Sequence, residues 1–334
     1  MSEAALPRIE FRERWKRSFP GRVVGFVGIM ARRKPLGFVS LLFIVGMLIV
    51  AAFPGVFATH SPGSTSAGAA NQPFCFGPSD TFLCPVIVTE SSLVGDRRVE
   101  GSLSQPLGTD RLGRDNYSRL VYSTRIAVYV GVGAVAVSTL ISLLVGIPSG
   151  YFAGKLDAIL QRFVDAIMAL PTLVILVALP VMIGGPTFNK LIIILGVLGG
   201  AGGARVIRSA VIGVRSAQYL EAARVIGAND LRIMVRHVMP NIFGAMMVQA
   251  TIGIAVVILA ESALSFLGFG VDDPNQPSWG RMLGLARDVA DIHPWQAVWP
   301  GLAISLAVFS FNMLGDALRD LLDPRLRGAG GGFG

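Results

Sequence analysis

Charge is what this chain has least of. Asp, Glu, Lys and Arg make up 15% of its 334 residues, against roughly 25% in a soluble domain, while 52% are hydrophobic. That balance excludes an ordinary water-soluble globule. Histidine is almost missing: His60, His237 and His293 are the only three, far apart, so neither an H-E-x-x-H helix nor a nickel-ligand cluster can be written. The only two cysteines, Cys75 and Cys84, have no histidine near enough in sequence to complete a zinc site. No G-x-S-x-G nucleophile elbow occurs. Residues 184–190 read Gly-Gly-Pro-Thr-Phe-Asn-Lys, which is not the phosphate-cradling G-x-x-x-x-G-K-[ST]. The chain is therefore expected to bind no cofactor and no metal itself and not to be an enzyme.

What is present is long uncharged sequence. A bilayer crossing needs about 20 apolar residues. Runs of that kind lie at 35–58, 126–154, 166–189, 238–260 and 292–315, with a shorter glycine-rich run at 191–204. The last spans only if Arg205 and Arg208 snorkel from its end toward the interface. Six spans are expected, and five if that run fails. The first run is a signal anchor rather than a cleaved leader, because its 34-residue flank and its length exceed those of a signal peptide.

The net charge of +8 is unevenly placed. Residues 1–34 carry +6 and residues 205–240 carry +4, whereas 59–125 are neutral and 272–298 carry −2. Basic segments alternating with neutral or acidic ones across successive spans follow the positive-inside rule and speak against nucleic acid as the partner. The expectation is a multi-pass protein of a bacterial plasma (inner) membrane with both termini and the 205–240 loop cytoplasmic. Residues 1–34 then form a cytoplasmic arm, amphipathic around 11–26, with anionic lipid as a secondary contact. Cys75 and Cys84 fall on the outer, oxidising side. A disulfide closing a small loop is the expected pairing, with two unpaired thiols as the alternative.

The basic 205–240 segment contains two short apolar stripes. Tyr219, Ala222, Ala223 and Ile226 stand at i, i+3, i+4 and i+7, and Leu231, Met234, Val235 and Val238 repeat the spacing. Gly227 between them supplies a positive-φ turn, Asn229 or Asp230 can cap the second helix, and Pro240 ends it. Helices this short need something to pack on, so the pair is a docking surface for a partner. An amphipathic hairpin lying on the membrane surface is the plainer alternative.

The same residues resemble the EAA loop of binding-protein-dependent ABC import permeases. Glu221-Ala222-Ala223, Gly227 and Pro240 fit the pattern, whereas His237 and Met239 replace its usual Ile and Leu. The His-x-x-Pro-Asn ending at 237–241 is similar to the dipeptide/oligopeptide/nickel branch. Residues 105–125 resemble the signature of that branch's C-type subunit, with Gln105 in place of His and Ser123 in place of Gly. Residues 150–157 with Asp165 and Ala169-Leu170-Pro171 resemble its turn between spans two and three, residues 261–271 and 277–280 a fourth motif, and residues 311–325 its C-terminus. The resemblance covers 105–327. Gly199–Gly203, where relatives carry bulkier residues, is a departure that leaves the fourth span thin. Gly146, Gly150 and Gly154 form consecutive G-x-x-x-G spacings, read as helix packing.

The resemblance implies an all-α integral membrane protein, a type I ABC importer permease of six transmembrane helices and a cytoplasmic helical hairpin. Its divisions would be 1–58, an external insertion at 59–104, and the transmembrane domain at 105–334 with its coupling loop at 214–241. It further implies a second homologous permease subunit, two cytoplasmic ABC ATPases that hold ATP and Mg, and an external substrate-binding protein. Tyr219, Glu221, Ala222, Ala223, Ile226, Gly227, Asp230, Leu231, Met234 and Pro240 become the ATPase-coupling candidates. Short peptides are the expected substrate, with nickel or another small solute as the alternative.

Glu261 is the one acid near the end of an apolar run. An exposed charge there costs about 2.5–3.5 kcal/mol in lipid. It either lines the translocation pathway or makes a structural hydrogen bond or salt bridge, with Arg281 or Arg287 as partner. Arg205 and Arg208 read as interface anchors. Arg232 and Arg236, one turn apart, face anionic lipid or an acidic partner. An ion-coupled secondary transporter would need intramembrane acids or broken helices at midplane; Glu261, near a span end, is the only approach to that.

Overall fold

A computed structural model describes residues 19–65, 70–76, 84, 86–89, 97–100 and 102–322. Most of the basic arm and the Asp323-Pro324-Arg325 motif lie outside these residues. Helix α1 (Phe19–Arg33) leads into α2 (Pro35–Ala52) and the single turn α3 (Pro54–Phe57). The 59–104 segment carries β1 (Val86–Thr89) and β2 (Arg97–Glu100), an antiparallel ribbon with Val86 opposite Glu100. Among the described residues, this ribbon departs from the all-helical expectation. Then come α4 (Asn116–Phe152), α5 (Gly154–Met168), α6 (Thr172–Met182) and α7 (Phe188–Arg215). The hairpin follows as α8 (Gln218–Val225), α9 (Asp230–Ile233), a π-helical turn (Met234–Val238) and α10 (Met239–Asn241). Helices α11 (Phe243–Phe266), α12 (Trp279–Ala286) and α13 (Trp295–Leu322) follow among the described residues.

Five helices, α2, α4, α7, α11 and α13, are long and apolar enough to cross a membrane. Helix α4 has 37 residues. At 1.5 Å per residue it is about 55 Å long, well beyond a hydrocarbon core of about 30 Å. Both of its ends therefore protrude, and they organise the two ends of the molecule.

The expected continuous span at 166–189 is instead a broken pair, α5 and α6, bent by 81°. Pro171 is the cause, since it supplies no N–H and pushes Leu170 out of the helical region. Helix α5 carries Lys155, Asp157, Gln161, Arg162 and Asp165 and buries only Val164. The count is six spans only if the bent pair is one of them.

The fourth run is not thin. It forms the 28-residue α7, the closest neighbour of α4. A Cβ on Gly196 would stand 2.6 Å from Cβ of Val137, and one on Gly200 would stand 2.8 Å from Cβ of Ile141. Bare glycines let the two backbones meet, the usual currency of helix association in lipid. Ser142 Oγ, bonded to the Ser138 carbonyl at 2.8 Å, also donates to the Gly200 carbonyl at 3.2 Å. Further along, Gly146 and Gly150 receive Ile207 and Val211 in the same way. Gly154 does not: it touches nothing and opens α5 at φ +61°.

Arg205 and Arg208 are not end anchors either. They lie within α7 and pair with α5, Arg205 with Asp165 at 2.5 Å and Arg208 with Asp157 at 2.6 Å. At the same end of the bundle Lys34 pairs with Asp320, joining α2 to α13.

Candidate functional site

The hairpin sits at the far end of α4. Its first arm stops where Gly227 takes φ +82° and Ala228 N–H reaches back to the Ala223 carbonyl at 3.0 Å, as expected of a C-terminal glycine cap. Asn229 rather than Asp230 caps the second arm, its side chain accepting from Arg232 N–H at 2.9 Å. Pro240 does not end that arm. The Met239 N–H reaches the Met234 carbonyl, five residues back. A π turn of this kind widens the helix just before a proline ring that an α-helix would clash with. The chain then passes through Ile242 almost directly into α11.

The hairpin has two apolar faces, and the two expected stripes fall mainly on the outer one. Leu220, Ala223, Ile233 and Val238 point inward and pack with Ile147, Tyr151, Ile207 and Val211 of α4 and α7. Tyr219, Ala222, Glu221, Ile226, Leu231 and Val235 are exposed, and Met234 is half-buried. Of the expected stripes, Ala223 and Val238 are buried, at 5% and 0% exposure, while Ile226 and its neighbour Val225 stand 84% and 87% exposed. An exposed apolar patch of this size on a basic hairpin marks an interaction surface. Tyr219, Ala222, Ala223, Ile226, Arg232 and Arg236 line a groove of about 590 Å³ across it. Arg232 and Arg236 thus belong to this groove.

Asp230 faces the bundle. Tyr151 donates its hydroxyl to Asp230 Oδ1 at 2.7 Å, and the Arg224 guanidinium lies 5.3 Å from the centre of the Tyr151 ring. Tyr151 and Leu220 were not singled out by the sequence pattern. Leu220 and Ala223 show an i, i+3 spacing, but it overlaps the exposed stripe. Tyr151 gives no local signal, because its partner is 79 residues away.

Glu261 lies near the other end of the bundle and is 3% exposed. Ser265 donates to its Oε1 at 2.7 Å, and Ser278 is a second hydroxyl partner. Arg281, offered above as its salt-bridge partner, pairs instead with Asp272 at 2.7 Å. The structural alternative fits Glu261 better than the pathway one: it ties the end of α11 to the start of α12. Gly280 permits this, standing against the Ser262 backbone where a Cβ would meet Cα at 2.6 Å.

The same end carries a cap built on the first turn of α4. Asp115 accepts from Tyr117 N–H and Ser118 N–H, and from Thr59 Oγ1 at 2.9 Å. Arg114 Nε donates to Asp110 at 2.7 Å, and Arg119 reaches the Pro62 carbonyl at 3.0 Å. Residues 70–76, within the 59–104 insertion, are fastened. Cys75 N–H bonds the Pro106 carbonyl at 3.0 Å, Phe74 packs edge-on against Trp295 and Trp299, and Gln296 donates to Asn71 at 2.9 Å. Cys75 and Cys84 form the expected disulfide and are buried. Ser123 is accommodated by bonding back to the Arg119 carbonyl at 2.7 Å, and Gln105 is buried.

Residues 142–328, which include the hairpin, α5 and the α11–α12 junction, match the family described as the binding-protein-dependent transport system inner membrane component. The chain is 38% identical over 248 residues to the dipeptide transport system permease protein of Bacillus subtilis, covering 74% of this chain and 76% of that protein. It is 37% identical over 254 residues to the di/tripeptide transport system permease protein of Pseudomonas aeruginosa, covering 76% and 82%. Against the oligopeptide transport system permease protein of Bacillus subtilis it is 30% identical over 296 residues, covering 89% and 88%. The chain belongs to the binding-protein-dependent transport system inner membrane components, as a multi-pass ABC transporter permease subunit rather than a catalytic one.

Proposed function

We infer that this permease subunit imports short peptides and that the exposed face of its hairpin receives an ABC ATPase. The observation that carries the docking reading is the two-sided hairpin. Leu220, Ala223, Ile233 and Val238 seat it on the bundle, while Tyr219, Ala222, Ile226 and Leu231 are left facing outward. A hairpin that served only to cover its own bundle would have no use for a second apolar face. The peptide reading rests on the relatives, whose names are those of dipeptide, di/tripeptide and oligopeptide permeases.

The assembly would hold a second homologous permease subunit, two ATPases carrying ATP and Mg, and an external binding protein that delivers the peptide. The +4 charge of 205–240 and the +6 charge of 1–34 support a cytoplasmic side for the hairpin and the N-terminus, opposite the neutral and acidic segments. Movement of the ATPases on ATP binding would then displace the hairpin. It drives transport only if the hairpin prefers different arrangements in the inward- and outward-facing states.

Ala222→Asp tests the docking. Ala222 is exposed, so the variant inserts and folds, but it puts an unpaired charge into the apolar contact. Co-purification of the ATPase subunits is expected to fall at least about tenfold, as a loss of some 1.4 kcal/mol would give. Full retention sinks the docking reading. Uptake of labelled dipeptide into proteoliposomes, competed by unlabelled dipeptide or by nickel, tests the substrate. Competition by nickel alone overturns the peptide assignment.

A further inference from the structure

Besides its chain connections to α7 and α11, the hairpin is joined to α4 by two kinds of contact. The apolar cluster under it has no preferred direction, so it resists compression but allows sliding. The bond from Tyr151 to Asp230, at 2.7 Å, fixes both distance and direction, and the Arg224 guanidinium 5.3 Å from the ring centre clamps the same side chain from the first arm. One tyrosine of α4 therefore touches both arms of the hairpin.

Tyr151 stands beside an unusual turn. Ala153 holds φ +54° without being glycine, and Gly154 follows at φ +61°. Such a conformation persists only where its surroundings impose it. Here they do so from both sides. Before the turn Ser149 donates to Asp157 Oδ1 at 2.5 Å, and Gln161 donates to Ser149 at 2.9 Å. Beyond it Asp157 accepts two bonds from Arg208 of α7, at 2.7 and 2.6 Å. The turn at 149–157 is thus a stiff joint. It is fastened to α7 through Asp157, and to the hairpin through Tyr151.

We propose that Tyr151 is a positioning residue for transport, the directional link through which displacement of the hairpin is carried into α4 and the broken α5–α6 pair. This rests on the docking reading above and adds the route by which it acts. With the link intact, lateral or outward movement of the hairpin pulls the joint with it. Without the hydroxyl, the apolar seat slips and ATP is hydrolysed with less transport.

The test uses the complete complex in proteoliposomes, with its own binding protein loaded with a mixture of labelled dipeptides. Peptide taken up and phosphate released are measured on the same sample. Tyr151→Phe keeps the ring in the apolar cluster and removes the hydroxyl, with its bonds to Asp230 and Arg224. Peptide taken up per ATP hydrolysed is expected to fall at least about tenfold, the scale of one lost hydrogen bond to a charged group. Asp230→Ala attacks the same bond from the exposed partner and avoids any question of core folding. It is expected to give the same fall, and the double variant no further one. Asp230→Asn, which keeps an acceptor, is expected to restore most of the ratio.

An unchanged ratio in Tyr151→Phe overturns the proposal. So does a parallel fall in uptake and hydrolysis, which would mean that the side chain only supports the fold. Additive losses in the double variant would show two separate roles and also overturn it. Ala222→Asp separates this from the docking reading. If it keeps its ATPases, docking is wrong; if it loses them while the Tyr151→Phe ratio stays at the wild-type value, the link alone is wrong.

Discussion

At its first turn α4 is held by charge, with Asp115, Arg114 and Arg119 bonded to residues from 59 to 118 and a disulfide closed just above them. At its last turn the same helix meets the hairpin through an apolar seat and one tyrosine bond. The difference is one of permitted motion. Charge-assisted hydrogen bonds and a covalent bond define a single arrangement, whereas aliphatic packing allows neighbouring arrangements of similar energy. Parts of a protein that move in function come from its less cross-linked regions. The cap thus behaves as the fixed frame, and the hairpin as the part free to respond.

The sharpest way to break this contrast is to charge the hairpin seat. Ala223→Asp buries a carboxylate among Leu220, Ile233 and Val211 with no cation provided, at a cost of about 3–5 kcal/mol. The hairpin is expected to leave the bundle, seen as rapid proteolysis within 216–238 while the spans stay protected. The neighbouring Ala222→Asp should leave that protection unchanged. Equal cleavage in both would mean that the two faces are not distinct. At the other end, Asp110→Ala strands Arg114 and frees the Leu112 and Arg114 amides. A loss of about 3 kcal/mol is expected, confined to the cap and read by tryptophan fluorescence, with hairpin proteolysis unaltered. Opening the disulfide by Cys75→Ser with Cys84→Ser should cost the cap about 2 kcal/mol, given its short loop. Hairpin cleavage in either cap variant would show that the two ends are not independent.

How much of this was readable beforehand depends on the kind of contact. The spans carried by α2, α4, α11 and α13 follow from apolar length alone. The glycine turn at 227 and the cap at 229 follow from local backbone chemistry. Helix α7 was underestimated because hydropathy scores Gly196, Gly200 and Gly203 as weak, although their value lies in what α4 places against them. The break at Pro171 was written in the sequence but was outweighed by the apolar residues around it. The outward stripe of Tyr219, Ala222, Ile226, Leu231 and Val235 follows from periodicity, whereas the second, inward set of Leu220, Ala223, Ile233 and Val238 was not separated from it, because Leu220 and Tyr219 are adjacent and both sets are apolar. The tether of residues 70–76 to Thr109, Trp295 and Trp299 was hidden because linker-like composition reports local preference and not distant partners.

The smallest expected effect separates the ends by pH. His293 lies in the turn before α13, 4% exposed, its ring 5.0 Å from that of Trp295. Its Nδ1 has no hydrogen-bond partner among the described residues. Burial lowers its pKa below the ordinary imidazole value, because a charged ring there would lose its hydration. The sign follows from proton uptake. Below about pH 6.5 the unfolded chain binds a proton at this position that the folded cap refuses, so stability falls as pH drops through that value. The loss stops growing once the folded pKa is passed. Cap melting, followed by the fluorescence of Trp295 and Trp299, is therefore expected at lower temperature at about pH 5.5 than at about pH 7.5. His293→Gln should remove this part of the difference. The hairpin seat of Leu220, Ala223, Ile233 and Val238 contains no histidine, so its proteolysis should not follow the same curve. A His293→Gln cap that keeps the full pH dependence would rule out His293 as its source.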